Sequence, residues 1–141
     1  MSIHTTIPAL LLSAASLLMV GCSSGDHPDV GRVHGKVTLN GEPMEGVVVS
    51  FEPAEGGRGS WALTDAEGQY ELNYNANTRG TRTGDNLVRL SKQKPVIRDD
   101  NGRVTDPGFK EKFPAEYNTQ STQIVTVQGG DNEFNFDVVS D

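Results

Sequence analysis

From residue 28 onward the chain alternates between apolar and polar positions. Residues 31–40 (GRVHGKVTLN) put Val33, Gly35, Val37 and Leu39 on one side and Arg32, His34, Lys36 and Thr38 on the other. That period of two marks a strand with one buried face. Residues 47–53 (VVVSFEP) repeat it with Val47, Val49 and Phe51 inward. Residues 60–64 (SWALT) do so with Trp61 and Leu63, 69–74 (QYELNY) with Tyr70 and Leu72, and 86–92 (NLVRLSK) with Val88 and Leu90. Residues 123–127 (QIVTV) and 133–139 (EFNFDVV) are predicted to form a closing hairpin around 128–132, with Val125, Val127, Phe134, Phe136 and Val138 inward. Asn40-Gly41 and the Asp65-Ala66-Glu67-Gly68 tetrad are turn signals, because Asn, Asp and Gly tolerate or cap the tight backbone. No stretch after residue 22 sustains a helical repeat. Seven short strands at this spacing predict an all-β fold, a single seven-stranded antiparallel β-sandwich. Residues 93–122 break the rhythm: they hold Pro95, Pro107 and Pro114 and no clear strand. Within them, 112–118 (KFPAEYN) is expected to fold its aromatic rings back onto the sandwich.

The first residues follow a different pattern. Residues 8–20 (PALLLSAASLLMV) are uncharged and, at thirteen positions, too short for a membrane span of about 20 residues. The length suits the apolar region of a secretory signal. Met19-Val20-Gly21-Cys22 resembles a bacterial lipobox, in which the cysteine takes a diacylglyceryl group and becomes the first mature residue. The expected organisation is a signal peptide at 1–21, a lipid on Cys22, a small polar tether at 22–30 and one domain at 31–141. Other readings of Cys22 are a free thiol, an intermolecular disulfide, or a plain signal peptide cut elsewhere. Anchoring by several acyl chains is stable where one is marginal. Ser23 after the cysteine resembles the sorting signal of outer-membrane lipoproteins, so the expected address is the cell envelope, on the outer membrane. Cys22 is the sole cysteine, so the domain is held by its apolar core and not by disulfides.

Charge adds a polarity along the chain. The net charge is −7, yet residues 79–112 hold nine of the twelve Lys and Arg with five acids, leaving −11 on the rest. An acidic chain is a poor nucleic-acid ligand, and none is expected. The basic segment, represented by Arg79, Arg82, Lys94, Arg98 and Arg103, is the candidate interaction surface, with a solvated loop as the plainer reading.

Two strings carry a resemblance. VHGKVTLNGEPMEGVVVSF at 33–51 reads G-x-V-x-x-x-G-x-P-x-x-G-x-x-V, and TDAEGQYEL at 64–72 reads T-D-x-x-G-x-Y-x-L. Their order and spacing resemble the carboxypeptidase regulatory-like domain, a transthyretin-like (prealbumin-like) Greek-key sandwich, over residues 31–139. FPAEYN followed by IVTVQGGDNEFNFDV is similar to small transthyretin-like lipoproteins of planctomycetes. Asn86 stands where such strands carry an aromatic residue. The resemblance implies a non-catalytic companion domain, with no attached enzyme expected. Hydroxyisourate hydrolases share the sandwich, but they need further His and Arg residues and a Tyr-Arg-Gly-Ser end, where this chain has Val138-Val139-Ser140-Asp141.

Few residues suggest chemistry. No G-x-G-x-x-G, P-loop or G-x-S-x-G motif is present. His34 alone cannot make a zinc site, which takes three or four ligands. Asp99, Asp100, Asn101 and Asp106 are hard oxygen donors of the kind calcium takes, but their spacing is not that of an EF-hand loop, and an Asp/Asn/Gly stretch is ordinarily a turn. Glu52 and Glu55 read as surface acids at a strand end, not as a glycosidase pair. No cofactor beyond the lipid on Cys22 is expected. The function expected is that of a non-enzymatic, lipid-anchored envelope protein whose sandwich meets a partner protein. The alternatives are a carbohydrate-binding module using Trp61, Tyr70, Tyr74 or Tyr117 as stacking faces, and a passive spacer.

Overall fold

The computed structural model describes residues 28–141. The expected signal peptide, Cys22 and most of the tether lie outside the described residues. The strand segments run β1 (Val30–Leu39), β2 (Glu42–Pro43), β3 (Val48–Pro53), β4 (Ser60–Leu63), β5 (Gln69–Glu71), β6 (Asn73–Asn75) and β7 (Thr78–Arg79). They continue with β8 (Thr81–Arg82), β9 (Gly84–Ser91), β10 (Ile97–Arg98), β11 (Val104–Asp106), β12 (Ile124–Val127), β13 (Gly130–Glu133) and β14 (Phe136–Val138). A single 3₁₀ turn sits at Ala115–Tyr117. The fold is all-β: two six-stranded sheets face one another, and β10 and β11 make a separate hairpin.

In the first sheet β1 is the axis. Along one edge it pairs antiparallel with β8, β5 and β2. Along the other it pairs in parallel with β13 and then β14. The second sheet has the order β12-β9-β3-β4-β6-β7 and is antiparallel throughout. Val33, Val37, Leu39, Tyr70, Leu72, Phe136 and Val138 of the first sheet pack against Val47, Val49, Phe51, Ala62, Val88, Leu90 and Val127 of the second. Phe51 lies at the centre, its ring centroid 5.9 Å from Phe134 and 6.4 Å from Phe136. Burying an aromatic or large aliphatic side chain here contributes about 1.5–3 kcal/mol.

Strand segments fall within each of the seven expected ranges, but the described residues form fourteen segments rather than seven, and they pair differently. Residues 69–74 split at buried Leu72, where the chain leaves β1 for β4: the Leu72 amide donates to Val33 O while Asn73 already pairs with Trp61. The expected closing hairpin does not form. β12 pairs with β9 in the second sheet, and β13 and β14 cross to the first and pair with β1. The reason is edge occupancy. One side of β1 is filled by β8, β5 and β2, so its free side receives the last segment, which starts at the same end as β1 and is therefore parallel.

Trp61 and Leu63 are also corrected. They point outward, 60% and 56% exposed, and Ser60, Ala62 and Thr64 face the core. Register decides this. Phe51 pairs with Ser60 and Val49 with Ala62, so small side chains leave room for the Phe51 ring. Buried Thr64 locks the arrangement, its hydroxyl accepting from the Val47 amide (2.9 Å) and donating to Met44 O (2.6 Å). A slip of one residue would exchange the two faces. At Asn86 the structure has a fully buried amide that donates to Arg82 O and Gly84 O, 3.0 Å each, and so ties the corner between β8 and β9. A larger apolar ring there would leave those carbonyls unpaired. The Asn40-Gly41 turn forms as expected, with both residues at positive φ (53° and 85°).

The molecule has two distinct ends. β1 and β9 both start where Thr83 N–H donates to Asp29 O, beside the first described residues. The β10–β11 hairpin leaves from the other end of β9, eight residues or about 25 Å away at about 3.3 Å per residue.

Trp61 is the sole tryptophan, so it reports its own environment. Native protein should show red, water-exposed emission that acrylamide quenches freely, with little further red shift on unfolding. A blue, protected emission would contradict the outward register of β4.

Candidate functional site

The segment after β9 is built around Glu111. Its carboxylate accepts hydrogen bonds from Ser91 Oγ (2.6 Å), the amides of Lys92 (2.8 Å), Lys112 (2.9 Å) and Phe113 (3.0 Å), and Asn118 Nδ2 (3.0 Å). Asn118 Nδ2 also donates to Leu90 O, and Asn118 O accepts from Arg89. Ser121 Oγ donates to Val88 O. Phe113 is buried and Tyr117 packs against the core, so 112–118 does fold back onto the sandwich. Partial burial pushes the Glu111 carboxyl up, but the four bonds from Ser91, Lys92, Phe113 and Lys112 together hold it below the usual range.

With its base fixed in this way, 94–109 projects as a hairpin closed by β10 and β11 and by paired hydrogen bonds between Lys94 and Phe109. Its surface is unusual. Val96, Ile97, Val104 and Phe109 are 53%, 49%, 49% and 40% exposed. Cross-strand register sets Arg98 beside Val104 and Lys94 beside Phe109, and Lys112 lies 5.2 Å over the Phe109 ring. Among the described residues no carboxylate is within ion-pair reach of Arg98, Arg103, Lys110 or Lys112.

The five basic residues singled out in the sequence therefore do not make one patch. Lys94, Arg98 and Arg103 lie in or beside the hairpin, Lys94 paired with Asp106 and Arg98 donating to Gly102 O. Arg82 lies at the start of β1, paired with Val30 and within 3.5 Å of Gly56 O. Arg79 forks onto Glu71 at 2.9 and 3.1 Å at the edge of the second sheet. The oxygen donors considered for calcium are engaged otherwise. Asp99 caps the hairpin turn by accepting from the amides of Asn101 and Arg103, both 2.9 Å, while Asp100 and Asn101 are exposed in the turn. Asp106 accepts from Lys94 and from the Gly108 amide, and these bonds hold its carboxyl below the usual range. Among the described residues no three His, Cys, Asp or Glu side chains are gathered as for a metal ion.

Each sheet also carries a concavity on its outer face. The outer face of the first sheet holds an open polar cleft of about 720 Å³ lined by His34, Lys36, Gln69, Glu71, Glu133 and Asp137 among others. Tyr70 lies beneath it. Burial, and then the Glu133 carboxylate, push its phenol above the ordinary tyrosine range, so it stays protonated and donates to Phe134 O (2.6 Å). The outer face of the second sheet holds a groove of about 600 Å³ around Trp61, Leu63, Asn73, Tyr74 and Asn75. Of the four rings considered for stacking, Tyr70 and Tyr117 belong to the core, and Trp61 and half-buried Tyr74 share this groove. Glu52 is paired with Arg89 at 3.3 Å. The apolar tips of the hairpin and the outward Trp61 could not be found from alternation, which reports only which positions share a face.

No protein-family model matches the chain, and no curated protein matches it. Among solved structures, a 9R-lipoxygenase from Cyanothece PCC8801 is similar over 79% of this chain and 16% of its own, at 12% identity and a TM-score of 0.42. A DUF3823 family protein from Parabacteroides merdae is similar over 79% of this chain and 46% of its own, at 13% identity and a TM-score of 0.39. The chain spans less than half the length of either.

The Glu111 network generates a pH-dependent prediction. A carboxyl held low in the folded state adds stability above its unfolded value near 4.5, and that stability is lost as pH falls through the folded value. Glu111→Gln should lower unfolding free energy at neutral pH by about 1.5–3 kcal/mol. The gap to the unsubstituted protein should then close toward pH 3 in urea titrations. A gap that does not change with pH would contradict the charge-based role.

Proposed function

We propose that this protein is a lipid-anchored, non-enzymatic module of the bacterial cell envelope, of the carboxypeptidase regulatory-like, transthyretin-like kind found in planctomycete lipoproteins. Cys22 carries the lipid, and Ser23 favours the outer membrane. A short tether then leads into the start of β1, so the sandwich stands with that end toward the bilayer. The opposite end, about 25 Å away along β9, presents the β10–β11 hairpin to a partner protein.

The observation that carries this reading is the hairpin surface: four exposed apolar side chains interleaved with Arg98, Arg103, Lys110 and Lys112. Single exposed apolar residues are ordinary, but a cluster rimmed by charge marks an interaction site. The matching partner has an acidic rim and an apolar centre. Loops and hairpins on a rigid sandwich commonly carry recognition.

The test is cross-linking in intact cells followed by purification through a C-terminal tag. The reading predicts a reproducible partner that is lost with the Arg98→Glu, Arg103→Glu double variant and with Cys22→Ala. An unchanged set of cross-linked proteins after charge reversal would refute the hairpin as the contact. The same result with no partner at all would leave a passive spacer.

A further inference from the structure

We propose a second binding site, independent of the hairpin: the groove on the outer face of the second sheet takes a pyranose chain, with Trp61 as its stacking platform. Trp61 is 60% exposed in the middle of a sheet face, between β3 and β6, where solvent contact is costly for a ring of its size. Its outward placement follows from the register, since the core-facing positions of β4 beside Phe51 and Val49 take the small side chains of Ser60 and Ala62. The ring is thus held outward by register and ready for a ligand.

The surroundings say which ligand. Directly across the strand pair stands Asn73, followed by Asn75, and both line the groove with Tyr74. The Tyr74 ring is covered by the Arg58 guanidinium at 5.6 Å, which fixes both side chains at the groove wall. Glu71 closes the other side, and its charge is matched by the forked bond from Arg79. The groove therefore combines one flat aromatic face with amide donors and acceptors and a neutralised carboxylate. A lipid chain would leave the Asn73 amide and the Asn75 Nδ2 without partners, which is costly, while the Asn75 Oδ1 already accepts from the Asn77 amide (2.9 Å). A cationic ligand would find no free carboxylate, because Glu71 is already paired with Arg79, and the Arg58 guanidinium at the wall is turned over the Tyr74 ring. A pyranose answers both halves: its C–H face stacks on Trp61 and its equatorial hydroxyls meet the amides and the Glu71 carboxylate. The groove of about 600 Å³ is open to solvent, so it can take a short stretch within a longer chain.

The experiment is titration of the full mature chain in detergent micelles with soluble oligosaccharides (N-acetylglucosamine, glucan and mannan series), read by Trp61 emission, alongside co-sedimentation with insoluble peptidoglycan and cellulose. The expected result is saturable change in Trp61 emission with at least one series, and retention on the corresponding polymer. Trp61→Ala should weaken retention by at least about tenfold. Trp61→Phe should keep part of it, and circular dichroism should confirm that both variants fold. The Arg98→Glu, Arg103→Glu variant should bind as before, which separates this site from the hairpin. Retention unchanged in Trp61→Ala would overturn the proposal. So would no emission change and no retention with any probe. If Trp61→Ala instead removes a cross-linked protein and no saccharide binds, the face is a protein contact and the glycan assignment is wrong.

Discussion

The Phe134 carbonyl lies directly over Gly35, and the rest of the first sheet is arranged around that contact. A Cβ at position 35 would overlap Phe134 O and press on Tyr70, so only glycine lets the last segment approach β1 this closely. At this point the parallel ladder breaks between β13 and β14. The Phe134 amide donates to His34 O (2.9 Å), Tyr70 Oη donates to Phe134 O (2.6 Å), and Asn135 Oδ1 accepts from the Lys36 amide (2.9 Å) where a backbone carbonyl would otherwise serve. The break in the ladder is thus bridged by hydrogen bonds from both sides of the kink. It also aims Phe134 and Phe136 at Phe51, joining the two sheets through one aromatic cluster.

Everything proposed for function hangs on that frame. Because β1 and β9 share a starting end, the first described residues lie at one pole and the hairpin leaves at the other. Glu111 fixes the base of the hairpin with five hydrogen bonds, so its apolar and cationic tips are carried on a defined stem. Filling the interior with Phe51 demands small side chains opposite it on β4, and that demand turns Trp61 to the outside. Core packing and a candidate binding face are thus two sides of the same four-residue strand.

Much of the architecture was legible in the alternation. β1, β3, β9 and β12 fall where period two put them, because each has one consistently apolar face. β4 was ambiguous in kind: SWALT alternates on both faces, and the choice of Trp61 and Leu63 as inward followed hydrophobicity when the space available beside Phe51 decided otherwise. The closing hairpin failed because Gln128-Gly129-Gly130 reads as a turn whether the strands beyond it pair with each other or cross between sheets. β10 and β11 are only two and three residues long, too short for any period to show between Pro95 and Pro107. The role of Glu111 was invisible, since most of its partners are backbone amides that carry no residue signature. Asn86 looked like a missing aromatic and is instead a clasp for two carbonyls.

The most direct test of this account is the equilibrium unfolding of Gly35→Ala by urea, followed by circular dichroism, with Gly129→Ala as the control. An added Cβ at 129 meets nothing within 4 Å, so the control should stay within about 0.5 kcal/mol of the unsubstituted protein. Gly35→Ala should lose more than about 3 kcal/mol, or fail to fold, because the approach of Phe134 to β1 cannot be relieved without breaking the ladder. Equal stability of the two variants would mean that the last segment does not cross β1 as described, and the parallel closure of the first sheet would have to be abandoned.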